Sequence, residues 1–210
     1  MSVHEPRSFA HRFEPGSGSA EDTLLLLHGT GGNENDLLPL GRAIAPGASL
    51  LSPRGLVLEH GMPRFFRRIA EGVFDLPDLH ARTTQLAEFI TTAAAEYGFD
   101  STRVHAVGFS NGANIAASLL FSYPAALASA ILLRPMVPFE PEPLPILTGR
   151  SVLIAAGRED PIVPHEHGER LAGLLRRAGA DVEVTRSGAD HGLARGDLDA
   201  CVAWWAARHP

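Results

Sequence analysis

The sequence predicts an α/β fold, a mostly parallel sheet with helices on both faces, and three observations carry that expectation. Apolar, β-prone runs alternate with segments of helical pattern, the element boundaries carry their own punctuation, and no internal repeat of fixed period is present. At 210 residues, 45% of them hydrophobic and 20% charged, the chain lies far from the composition of disordered proteins. It is expected to form one domain over residues 1–210, burying roughly 70% of the surface that its unfolded form would expose.

A short strand is expected around Phe9–Phe13, and the turn-rich Glu14-Pro15-Gly16-Ser17-Gly18-Ser19 joins it to a strand over Thr23–His28. A helix near Asp36–Ile44 precedes a strand over Ser49–Leu51. A long helix near Asp78–Tyr97 opens after Pro77, which suits a first turn whose N–H groups lack partners. Gly98 and Gly179 can supply left-handed positions where helices end. Strand Val104–Val107 leads to helix Gly112–Phe121, and strands Ala130–Leu133 and Val152–Ala156 follow. The remainder reads as a helix near Glu166–Ala178, a strand over Val182–Thr185 and a helix near Asp197–Ala207. In that last helix Leu198, Cys201, Val202 and Trp205 recur at i, i+3, i+4 and i+7, so Cys201 is read as a core residue rather than a nucleophile.

Several function classes are disfavoured by composition. With 18 basic and 24 acidic residues and a net charge of −6, neither nucleic acid nor an anionic membrane is an expected partner. A single cysteine excludes an intramolecular disulfide framework and a cysteine-rich zinc site. Met1-Ser2-Val3-His4-Glu5-Pro6 has neither a basic start nor an apolar stretch, and the leucine run Leu24–Leu27 is too short for a bilayer. A cytoplasmic protein is expected.

The chemistry centres on Gly108-Phe109-Ser110-Asn111-Gly112, which lies between the strand Val104–Val107 and a helix rich in small residues. A G-x-S-x-G run in this strand–turn–helix setting exposes its serine on a strained turn, where side chains two positions before and after it would crowd the backbone. A serine hydroxyl needs a base to remove its proton, and the base needs an acid to hold its tautomer. Partners should therefore follow in the order acid, then histidine. Asp160, in Gly157-Arg158-Glu159-Asp160-Pro161 just past strand Val152–Ala156, is the expected acid. His191, in Gly188-Ala189-Asp190-His191-Gly192 past strand Val182–Thr185, is the expected base. Among rival acids, Glu159 reads as solvated, Asp190 diverges from its neighbour His191, and Asp197 reads as a helix cap. His165 and His167 flank Glu166 at a helix start without a metal-binding spacing, so no metal is assigned.

Charge building on a carbonyl oxygen needs fixed N–H donors, each worth about 3 kcal/mol in the transition state. Asn111, after the serine, supplies one through its main chain, and Thr30 supplies the other from the glycine-rich turn His28-Gly29-Thr30-Gly31-Gly32. That turn lacks the spacing of a phosphate loop, and His28 reads as structural. The patch Gly61-Met62-Pro63-Arg64-Phe65-Phe66-Arg67-Arg68-Ile69 has no clear periodicity. It offers Met62, Phe65 and Phe66 as the roof of an acyl pocket, against a plain reading in which the phenylalanines are core. Met136, in Met136-Val137-Pro138-Phe139, is a second wall candidate. The arginines of the first patch read either as a site for an acidic substrate group or as a solvated cluster.

With the elbow, acid, base and His-Gly turn in order, the chain resembles the phospholipase/carboxylesterase family of small α/β-hydrolases, which includes the acyl-protein thioesterases. The resemblance runs from about Leu24 to Trp205. It implies an α/β-hydrolase fold and an esterase without metal or cofactor, with Ser110, Asp160 and His191 as triad and Thr30 and Asn111 as oxyanion donors. Thioesterases of the family tend to carry Gln-Gly-Gly after the nucleophile, where this chain has Asn111-Gly112-Ala113. Asn33-Glu34-Asn35-Asp36-Leu37-Leu38 and Met62-Pro63-Arg64-Phe65-Phe66-Arg67 are more similar to the carboxylesterase-like branch, which implies small esters.

The expected function is therefore a two-step carboxylic ester hydrolysis through an acyl-enzyme, with a small-molecule ester as partner and a homodimer left open. A thioesterase or lactonase using the same residues, and a ligand-binding protein on the same fold, are the alternatives. A histidine base must be neutral to act, so esterase activity is expected to fall as acid protonates the imidazole. A pH–rate profile checks this, and activity that stays flat far into acid contradicts a histidine base.

Overall fold

Strands that are apolar on both faces need cover on both, and the computed structural model, which describes residues 9–17 and 22–209, shows how this chain provides it. In chain order its first elements are β1 (His11–Glu14), β2 (Thr23–Leu27), α1 (Leu38–Ile44), β3 (Ser49–Pro53), β4 (Val57–Glu59), β5 (Met62–Arg64), β6 (Arg68–Ala70) and β7 (Val73–Phe74). There follow α2 (Leu76–Tyr97), β8 (Val104–Phe109), α3 (Asn111–Ser122), β9 (Ser129–Leu133), β10 (Ser151–Gly157), α4 (Glu166–Arg177), β11 (Asp181–Ser187) and α5 (Arg195–Ala206). The central sheet runs β1-β3-β2-β8-β9-β10-β11. Only its edge strand β1 is antiparallel to its neighbour; every other pairing is parallel.

Side chains alternate faces along a strand, and the two halves of the core follow that period. Leu25 and Leu27, Ala130 and Leu132, and Val152 and Ile154 join one cluster, with Leu79, Leu86 and Ile90 of α2, Ile115 of α3 and Leu171 of α4. Leu24 and Leu26, Ile131 and Leu133, and Leu153 and Ala155 join the other, with Leu38 and Ile44 of α1 and Cys201, Trp204 and Trp205 of α5. The mostly parallel, doubly covered sheet is the expected α/β architecture. Asp75 opens α2 by accepting from Asp78 N–H at 3.1 Å, and Gly98 and Gly179 both take the expected left-handed conformation. Among the described residues, no helix is long and apolar enough to cross a membrane. Gly18 and Ser19 of the first joint, and Met1–Pro6, lie outside the described residues.

Two hairpins, β4–β5 and β6–β7, stand where sequence periodicity suggests only an irregular patch. Strands of two or three residues are too short to display a period-two pattern. Phe65 and Phe66, between the hairpins, are 1% and 0% exposed and belong to the main core cluster. The plain reading of these two residues holds, and they underlie the surface rather than roof a pocket.

Cys201 is fully buried on the inner face of α5, and burial, with a further contribution from Asp197, pushes its thiol up to about 12. Native protein is therefore expected to resist a thiol-specific chromogenic reagent at mildly alkaline pH and to react at one site per chain in concentrated guanidinium. Rapid labelling of the folded chain contradicts this packing.

Candidate active site

Parallel register aligns the carboxyl ends of β2, β8, β9, β10 and β11 along one edge of the sheet, where ligands of open α/β folds gather. Ser110 leaves the end of β8 with φ 52° and ψ −112°, a conformation that L-residues rarely adopt. Its N–H donates to the Leu133 carbonyl at 2.8 Å, and its carbonyl accepts from Asn114 N–H at 3.0 Å. A Cβ built on Gly112 would stand 1.9 Å from the Leu27 carbonyl oxygen, and one on Gly108 would stand 2.6 Å from the Gly112 carbonyl oxygen. The two motif glycines let α3 start hard against the end of β2.

His191 comes off the loop after β11 and reaches both predicted partners. Its Nδ1 lies 2.8 Å from Asp160 Oδ2, and its Nε2 lies 3.0 Å from Ser110 Oγ. An ionised carboxylate only accepts hydrogen bonds, so Nδ1 carries the proton and Nε2 presents its lone pair to the serine hydroxyl. The Asp160 side chain has no exposed surface, and its Oδ1 accepts from Val163 N–H at 2.9 Å and Ile162 N–H at 2.8 Å. Burial alone raises the carboxyl's pKa, but these amides and the imidazole outweigh it and hold the group below its usual range. Phe109 packs its ring against the imidazole at 5.4 Å.

The rival carboxylates stand elsewhere. Glu159 is exposed, and Asp190 turns back to accept from Gly192 N–H at 2.8 Å. Asp197 accepts from Ala194 N–H at 2.8 Å, as a cap does, and is also paired with the buried Arg134 at 2.7 Å. That second contact has no local sequence signal, because its partner lies 63 residues away.

Thr30 is held from the side of β5: Arg64 donates to Thr30 Oγ1 at 2.6 Å, and Gly31 N–H donates to the Pro63 carbonyl at 2.9 Å. Beneath the turn, His28 Nδ1–H donates to the Gly29 carbonyl at 2.7 Å and Nε2 accepts from Gly55 N–H at 3.0 Å. Burial lowers its pKa, as expected for a structural, neutral imidazole. Asn111 sits at the first position of α3, where a main-chain N–H lacks an intrahelical acceptor. Its side-chain carbonyl accepts from Phe65 N–H at 2.7 Å, and Asn114 accepts from Met136 N–H at 2.7 Å. The two asparagines thereby pin the backbone at Phe65 and at Met136 to the helix that follows the serine, a role the motif does not reveal.

Thr30, Ser110 and Asn111 line one narrow cleft of about 40 Å³, with Arg64, Asn114 and Met136. Of the proposed wall residues, Met136 reaches this cleft. Met62 is 40% exposed on β5 and covers Gly31, while Phe65 and Phe66 are in the core. A larger depression of about 690 Å³ lies at the opposite edge, before the strands begin, lined by Asp22, Arg103, Trp205 and His209 among others. There Asp22, His105 and His209 place possible ligand atoms within 4.8 Å of one another. Asp22 already accepts from His105 at 3.2 Å and from Arg103 at 2.8 Å, and that guanidinium opposes a second cation.

Residues 69–207 match the model of the Dienelactone hydrolase family. MhqD of Bacillus subtilis (strain 168) is 51% identical over 188 residues, covering 90% of this chain and 94% of that protein. A Bacillus cereus carboxylesterase superposes with TM-score 0.91 at 50% identity, over 93% of this chain and 92% of that one. A Mesorhizobium loti carboxylesterase does so with TM-score 0.85 at 34% identity, over 91% and 90%. The resemblance to small α/β-hydrolases of the carboxylesterase kind therefore holds, and so does the fold it implies.

Gly112→Ala tests the seating of α3 on β2. An added methyl would meet backbone at 1.9 Å, so urea denaturation is expected to show a loss of about 1–3 kcal/mol. Unchanged stability contradicts the close approach.

Proposed function

This chain belongs to the dienelactone hydrolase family and is a hydrolase of the dienelactone hydrolase and carboxylesterase type; we propose that it is a serine carboxylesterase acting on small esters. The observation that carries this reading is the hydrogen-bonded chain from Asp160 through His191 to Ser110, with Nε2 as acceptor toward the hydroxyl. As Ser110 Oγ attacks the ester carbonyl, its proton passes to Nε2, and Asp160 steadies the imidazolium. The carbonyl oxygen takes up the electron pair beside Thr30 N–H and Asn111 N–H. When the tetrahedral intermediate collapses, the C–O bond to the alcohol breaks and Nε2 returns the proton to the leaving oxygen. Water then repeats the sequence on the acyl-enzyme and releases the acid.

The narrowness of the cleft, with Met136 at its wall, favours small acyl groups over long chains. A preference for acidic substrates gains little support from the arginine cluster. Arg64 and Arg68 both contact Glu59, at 3.1 and 2.9 Å, and Arg67 contacts Asp75 at 3.0 Å. The carboxylesterase neighbours at 50% and 34% identity favour an open-chain ester. The family's name favours a second reading, a lactone, which is a cyclic ester open to the same attack. A reducing cytoplasm is the proposed compartment, on the lone, buried Cys201.

Ser110→Ala is expected to lower kcat/KM for p-nitrophenyl acetate about 10³-fold or more with little change in melting temperature. A variant as active as the parent overturns the assignment. Matched oxygen esters, thioesters and lactones separate the readings, with oxygen esters expected to turn over fastest. Stoichiometric ligand retention without turnover would indicate a binding protein.

A further inference from the structure

Arg134 follows β9 directly and is the largest fully buried side chain among the described residues, with 0% of its side chain exposed. Its φ of 56° is left-handed, an unfavourable choice for a long side chain and one that clusters at functional sites. One edge of the guanidinium grips Asp197 at the start of α5, NH1 to Oδ1 at 3.1 Å and NH2 to Oδ2 at 2.7 Å. The remaining N–H groups turn to the loop after β11 and the end of β10. Nε donates to the Asp190 carbonyl at 3.1 Å, NH2 to the Gly192 carbonyl at 2.8 Å, and NH1 to the Ala155 carbonyl at 3.1 Å. The peptide carbonyls on either side of His191 are thus bound by a single planar group.

From this geometry we infer that Arg134 is a positioning residue for His191, setting the imidazole against Ser110 by holding the backbone before and after it. The inference rests on the esterase reading above. A guanidinium suits the task because its five donors form a rigid fork, whereas an ammonium on a flexible stem cannot reach Asp197 and two divergent carbonyls together. The loop leaves no slack: a Cβ on Gly157 would lie 2.5 Å from the Ala189 and Asp190 carbonyl oxygens and 3.1 Å from Arg134 Nε. The same loop is tied to the one bearing Asp160, through Arg158 N–H to the Ser187 carbonyl at 3.0 Å and Glu159 N–H to the Ala189 carbonyl at 3.2 Å. Base and acid are therefore carried on one braced assembly. Asp197 anchors the brace, so the carboxylate that reads as a plain helix cap reaches the site through Arg134.

Arg134→Lys keeps a positive charge beside Asp197 and gives up the fork. Because a shift of about 1 Å in a reacting group can cost 10²-fold, kcat for p-nitrophenyl acetate is expected to fall about 10- to 100-fold. KM should stay within about twofold, since the cleft is untouched. The rate of fluorophosphonate labelling at Ser110 should fall in parallel, a change that loss of stability alone would not produce in a chain still folded by circular dichroism. If Arg134→Lys does not fold, the paired change Arg134→Met with Asp197→Leu, which leaves no buried charge alone, carries the same test. A folded variant with the parent's kcat and labelling rate overturns the inference while the esterase reading stands. Parent protein that neither turns over ester nor labels at Ser110 overturns both.

Discussion

Ser110 holds a backbone conformation that costs about 1–3 kcal/mol, and much of the carboxyl edge of the sheet exists to keep it there. The sharp turn at φ 52° lifts the hydroxyl out of β8 and starts α3 at once. Such a turn persists only where neighbours over-determine it. Here the Leu133 carbonyl on β9 takes the serine N–H, and Asn114 on α3 closes on the serine carbonyl. Glycine at 108 and 112 lets the end of β2 lie directly behind. Parallel pairing of β2, β8 and β9 is therefore a precondition for the exposed hydroxyl as well as for the core.

Two carboxylates at this edge do different work because they have different partners. Asp160 is paired with the imidazole and two backbone amides, Asp197 with a guanidinium and one amide. Burial pushes both carboxyls up, and in both the hydrogen bonds win, so both stay ionised at neutral pH. An ionised Asp160 fixes which imidazole nitrogen holds the proton, which leaves the other with its lone pair toward Ser110. Asp197 instead neutralises the cation that binds the loop around that imidazole. Removing one member of a buried pair usually costs about 3–5 kcal/mol, because the other charge is then left buried without a partner.

The sheet and its helices were legible because long apolar runs and helical periods repeat down the chain, and the carboxyl-edge residues were legible because the G-x-S-x-G run demands partners in order. Asp160 and His191 follow strands whose ends the pattern located to within about two residues. The 57–74 region was not legible: its strands are two or three residues long, and its paired aromatics face the core whichever way the surface loop runs. Arg134 was equally hidden. It sits in Leu133-Arg134-Pro135 like any charged residue at a strand end, and only tertiary packing turns it toward Asp190, Gly192 and Asp197.

The proposed ester hydrolysis passes through a covalent bond to Ser110. Mixing the enzyme with p-nitrophenyl acetate, quenching in acid at short intervals and mapping the peptides by mass tests this directly. An acetyl group on the Ser110 peptide that appears with the burst of nitrophenol and decays when ester is exhausted is the predicted result. Turnover with no such adduct, or with the acetyl group on another residue, would contradict the account.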